Sequence, residues 1–195
     1  MSYGPTTTFS AALALILAVF QCIAATRLEA QEIKIDNARL GVLVFNATNA
    51  YRESNHLPRL KLGLHAPAGD AAQKYAEYLA QNNSSGHEAD GKTPEQRIVA
   101  AGGKVCAFAE NVETFSSTPN VADIQTVANT AMKDWKNSPQ HDSNLKSTNT
   151  YILGIGAAAW KHADRNYYML VQDFLDDCTP ADQRDVRKLG KRPKS

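Results

Sequence analysis

The chain has 195 residues and a mass of 21.2 kDa, enough for one domain with a proper core and short for two. Its 43% hydrophobic and 21% charged content is that of a globular protein rather than a disordered one. With 21 basic and 20 acidic side chains the net charge is +1, which argues against nucleic acid as a partner. One apolar stretch alone, at the N-terminus, argues against an integral membrane protein.

That stretch, positions 11–25 (AALALILAVFQCIAA), is about fifteen residues long, the size of a signal-peptide core rather than a span. Small residues follow at Ala24-Ala25 and Ala30. Residues 1–30 therefore read as a signal peptide cleaved somewhere from about 24 to 30, residues 31–178 as the domain, and residues 179–195 as a basic, flexible tail. From Arg184 onward the tail holds Arg184, Arg187, Lys188, Lys191, Arg192 and Lys194 against the single acid Asp185, a composition suited to an anionic surface. The expected location is secreted and extracellular. Cys22 would leave with the leader, so Cys106 and Cys178 remain, an even pair in a secreted domain and a candidate disulfide; two buried thiols are the alternative. Sequons at Asn82, Asn83 and Asn46 are candidate glycosylation sites.

In chain order, Ala38, Val42, Phe45 and Asn49 predict one face of a helix over Ile35–Tyr51, which Pro58 ends. Leu60, Leu62 and Leu64 alternate as an extended segment. Pro67 opens a second helix with Ala71, Ala72, Tyr75, Ala76 and Leu79 in one stripe, stopped by the polar run from Asn82 to Gly86. Thr93-Pro94-Glu95-Gln96 is a capping box for a short helix closed by Gly102-Gly103. Val105–Val112 reads as a strand, and a fourth helix runs from about Val121 to Trp135. Tyr151–Trp160 and Tyr167–Leu175 make a hairpin across His162–Asn166. Helices first and antiparallel strands last give an α+β class, laid out as a three-layer α-β-α sandwich with a mainly antiparallel central sheet. His56, His65 and His162 are expected in solvent-facing turns, and Trp135, Tyr167 and Tyr168 in the core or a cleft wall.

Blocks in fixed order carry a resemblance. They are Asn49-x-x-Arg52 with Leu57-Pro58, then His87 with Gly91, Pro94 and Arg97-Ile98, then Glu110-Asn111, then Trp135-x-x-Ser138-Pro139-x-His141 with Asn144-Leu145, and finally the Gly154-x-Gly156 and Tyr167–Phe174 hairpin. Together they resemble the CAP superfamily of cysteine-rich secretory, antigen 5 and pathogenesis-related 1 proteins, in its bacterial-type branch. The resemblance implies an α-β-α sandwich with a His/Glu cleft formed by His87, Glu110 and His141. The chain departs from the animal and plant form twice. Ser138 stands where that form has Glu, and Lys146-Ser147-Thr148-Asn149 replaces its G-H-[YF]-T-Q block, so the full two-His, two-Glu tetrad does not carry over.

Two imidazoles and a carboxylate suit zinc or another divalent metal, with His87, His141 and Glu110 as ligands. Equally, Glu110 can orient one imidazole, or the cluster can be a polar tie between helices and sheet. The function expected is a secreted binding protein whose cleft holds a metal, a lipid or a protein partner, in defence or host interaction. The competing reading is a hydrolase using Ser138, His141 and Glu110 or a metal-activated water; Pro139 beside the nucleophile and the lack of a G-x-S-x-G turn count against it.

Overall fold

A computed structural model of the protein describes residues 31–117, 120 and 122–176. The leader, the tail and Cys178 lie outside the described residues. The elements are β1 (Gln31–Ile33), α1 (Asn37–Ser54), β2 (Lys61–Leu62), α2 (Pro67–Asn82), α3 (Pro94–Ala100), β3 (Ala107–Ser117), α4 (Ile124–Asn137), α5 (Pro139–Leu145), β4 (Ile152–His162) and β5 (Arg165–Asp176).

The sheet is a five-stranded α+β arrangement in the order β1-β4-β5-β3, with β2 paired to the start of β4. All pairings are antiparallel except β2 with β4. The expected hairpin is β4–β5, turning tightly between His162 and Arg165 with Ala163 in the left-handed region (φ +55°). Side-chain alternation along β4 and β5 feeds two cores. On one face Leu153, Ile155, Tyr168, Leu170 and Phe174 pack with Leu40 and Val44 of α1 and with Ala128 and Trp135 of α4. On the other, Ala158, Met169 and Val171 pack with Ala72, Tyr75, Ala76 and Leu79 of α2. The three layers are therefore α1/α4/α5, the sheet, and α2/α3.

Two glycines set how close α2 lies. A Cβ on Gly154 would strike the backbone of Ala68, and one on Gly156 the backbone of Ala72. The small residues of α2 and these glycines let helix and sheet backbones approach directly.

The second helix stripe and the Thr93 capping box are as expected, with Thr93 Oγ1 accepting from Gln96 N and Gln96 Oε1 from Thr93 N. The face of the first helix is not. Val42 is exposed, and Leu40, Val44, Thr48, Asn49 and Arg52 turn inward. Polar residues win the inner face because they satisfy backbone groups elsewhere. Asn49 exchanges two hydrogen bonds with the Leu60 backbone (3.2 and 2.8 Å). Arg52 donates to the carbonyls of Pro58, Leu145 and Ser147 at 2.8–2.9 Å, pinning α1 to the end of α5.

Candidate functional site

The expected site residues sit around β3, which forms one edge of the sheet. His87 comes from the loop after α2, where Asn83 ends the helix in a left-handed cap (φ 46°). Glu110 projects from β3 on the α2 side, and its register partner on β5 is Asp173. His141 lies in the first turn of α5, which Asn111 and Asn144 tie to β3. Asn111 Nδ2 donates to His141 O (3.3 Å), and Asn144 Nδ2 to Glu110 O (3.1 Å) and Asn111 Oδ1 (2.8 Å). The chain of bonds continues from Asn111 to Gln172 and from Gln172 to Thr48, crossing the interior from α5 to α1.

Glu110 is the hub. Its carboxylate is 2% exposed, with Oε1 lying 2.8 Å from His87 Nδ1 and Oε2 2.7 Å from Arg97 Nη2. This contact places the proton on Nδ1 of His87 and leaves Nε2 for a ligand. His87 itself is half exposed. Its pKa is raised above 6.5, first by the hydrogen bond to Glu110, against the opposing effect of burial. The pKa of His141 is lowered, first by burial and then by the positive charge of His87. Two imidazoles that start alike are thus pushed apart, one towards a cationic donor and one towards a neutral ring.

Arg97, from α3, was not a sequence candidate, although it belongs to the block that carried the resemblance. Its guanidinium, 6% exposed, binds Asp90 Oδ1 (2.9 Å), Lys92 O (2.9 Å), His87 O (2.9 Å) and Glu110, and stacks 3.5 Å from the centre of the Tyr75 ring. Tyr75 in turn donates to Gly86 O (2.6 Å) and accepts from Ala89 N (3.0 Å). Arg97 and Tyr75 therefore fold the loop that carries His87 onto the protein. Behind Glu110 lies Asp173, 1% exposed, with no hydrogen-bond partner for either oxygen among the described residues. Burial, with the charge of Glu110 adding to it and Arg97 opposing, holds its pKa well above 3.8.

Glu110 bonds to His87, and no hydrogen bond joins Ser138 to His141 among the described residues. The Nδ1 of His141 is buried without a partner among them. Ser138 occupies the N-cap position of α5 through its backbone, and its side chain makes no capping bond. Among the described residues no three of His, Cys, Asp and Glu are grouped to hold a metal. The donor set does not fit a closed zinc site, because both Glu110 oxygens are committed to His87 and Arg97.

The remaining expectations sort as follows. His56 and His65 are exposed, whereas His162 is half-buried edge-on to Tyr167, 5.7 Å between rings, because it closes β4 rather than lying in the turn. Trp135 and Tyr168 are core. Asn46 is exposed on α1, Asn82 ends α2 with its amide donating to Tyr78 O, and Asn83 is the exposed cap. Cys106 donates its backbone N–H to Asp176 O (2.8 Å), and position 178 is outside the described residues.

The family model of the cysteine-rich secretory protein family (CAP) matches residues 45–174. The chain belongs to that family. No curated protein matches it significantly. Among solved structures it is similar to an extracellular protein containing an SCP domain from Bacillus anthracis, at 22% identity and a TM-score of 0.53. That match covers 71% of this chain and 41% of the Bacillus chain, so this chain spans well under half of that relative. It is also similar to an outer surface protein of Borrelia burgdorferi, at 19% identity and a TM-score of 0.51, covering 76% of this chain and 100% of that one. At these identities the likeness establishes the shared fold. No described helix is long and apolar enough to cross a membrane.

Proposed function

We propose that this CAP domain is a secreted, extracellular binding module, and that its cleft between the His87 loop and α5 recognises the polar group of a lipid or protein ligand. The observation that carries the reading is the Arg97–Glu110–His87 chain. A buried ion pair orients one imidazole and raises its pKa, beside a second imidazole whose pKa is lowered. Such a pair offers one donor and one acceptor, which matches an amide or a phosphate that keeps a proton. Extracellular location is supported by the apolar leader-like run and by the extracellular and outer-surface description of the two similar proteins. A role in defence or host interaction is part of the same proposal.

Binding is favoured over hydrolysis because Glu110 is bonded to His87 and not to His141, so no Ser-His-Glu relay is assembled among the described residues. A divalent metal would find two imidazoles, with Glu110 acting as orienter rather than ligand. The test combines native mass spectrometry of the secreted protein, for retained lipid or peptide, with zinc titration of wild type and of His87→Ala, His141→Ala and the double variant. Retained ligand lost in the His variants, with zinc uptake weak or absent, supports the reading. Tight zinc uptake abolished by either substitution replaces it with a metal site. Turnover of ester or peptide substrates abolished by Ser138→Ala restores the hydrolase.

A further inference from the structure

A separate cleft of about 510 Å³ opens between the start of β3 and the connection from α5 to β4. Its volume falls in the range of small-molecule sites, about 300–1,000 Å³. One wall is Phe108, a large apolar side chain left 36% exposed. The other side is lined by the hydroxyls and carboxamide of Ser143, Ser147, Thr148 and Asn149, with Thr150 among the lining residues and the Asn144 amide committed to β3. Thr150 is only 3% exposed, and its Oγ1 has no hydrogen-bond partner among the described residues. Among those residues no carboxylate lines the cleft, and its one cation, Lys146, is already neutralised by Asp142 at 2.7 Å.

From this we infer that the cleft is a binding site for a neutral saccharide. Hydroxyl and amide side chains both donate and accept, the same dual character as sugar hydroxyls, and a deeply buried, unpartnered threonine hydroxyl adds to that set. An exposed aromatic ring supplies the apolar face on which the C–H side of a pyranose packs. An anionic ligand would meet no free positive charge here, and a lipid tail would meet hydroxyls and a carboxamide opposite Phe108.

The experiment is an NMR titration of the isotope-labelled domain with chitotriose, cellotriose and maltotriose. A heparin tetrasaccharide serves as the charged comparison. Saturable shifts at 106–109 and 143–150 with at least one neutral trisaccharide are expected. Phe108→Ala and the surface variant Asn149→Ala should each weaken that binding about tenfold or more, and His87→Ala should leave it unchanged, which separates this site from the imidazole cleft. The inference is overturned if no neutral trisaccharide shifts these residues, if Phe108→Ala and Asn149→Ala bind like wild type, or if only the heparin fragment binds and salt abolishes it.

Discussion

Asp173→Asn should stabilise the protein progressively as the pH rises. In the native state the carboxyl is 1% exposed, has no cation of its own among the described residues and faces Glu110 across the β3–β5 register. Its native pKa therefore lies well above the unfolded value near 3.8. Between those two values the native state holds one proton more than the unfolded chain, so unfolding free energy falls as pH rises. One carboxyl corresponds to one proton, and the slope is about 1.4 kcal/mol per pH unit. Asparagine keeps the shape without an ionisable proton, so the variant escapes that slope. Burying the amide N–H groups shifts its curve by a constant of about 1–3 kcal/mol and leaves the slope difference intact. Urea unfolding followed by tryptophan fluorescence from about pH 3.5 to 8 gives both curves, and their difference isolates position 173. It should grow from about pH 4 upward and level off where native Asp173 ionises. Parallel curves across the whole range would show that Asp173 is not held protonated and would refute the argument.

Arg97→Ala removes the guanidinium from buried Glu110, which keeps only His87, and from partly buried Asp90, and should cost about 3–5 kcal/mol, read as a lower urea midpoint. By imidazole NMR, His87 should titrate above 6.5 and His141 below it, and Glu110→Gln should abolish the rise at His87. The stability that His87 adds is present below pH 6.5 and disappears as pH rises through its native pKa; that of His141 is present above 6.5 and disappears as pH falls through its native pKa. Cys106 and Cys178 should be joined, so intact mass should reveal no free thiol until a reductant is added; labelling of two thiols without it would contradict this. Removing residues 180–195 should leave the melting temperature within a few degrees, and a large drop would show that the tail packs on the domain.

Some of the molecule was decided locally. The α2 stripe, the Thr93 capping box and the turn of the β4–β5 hairpin are each set by spacing within a few residues, and periodicity reports such spacing directly. The ordered motif blocks singled out His87, Glu110 and His141, which the fold sets around β3. Long-range pairing was not legible in the same way. Asn49 was expected on the inner helix face and Arg52 only as a motif residue; what their side chains do there, donating to carbonyls distant in sequence, was not legible. Those bonds also turned Val42 outward. Whether Glu110 would serve as metal ligand, catalytic orienter or salt-bridge anchor depended on which cation reached its second oxygen. Only the packing of α3 against the sheet brings Arg97 there. Gly154 and Gly156 carried no reason of their own until α2 lay across them. Asp173 is the sharpest case. In sequence it is one of several polar residues in a mainly apolar strand, and only the register with Glu110 makes it a buried acid beside a committed carboxylate. Local order follows from spacing along the chain. The chemistry of the site follows from which charges the folded layers force to share a low-dielectric interior.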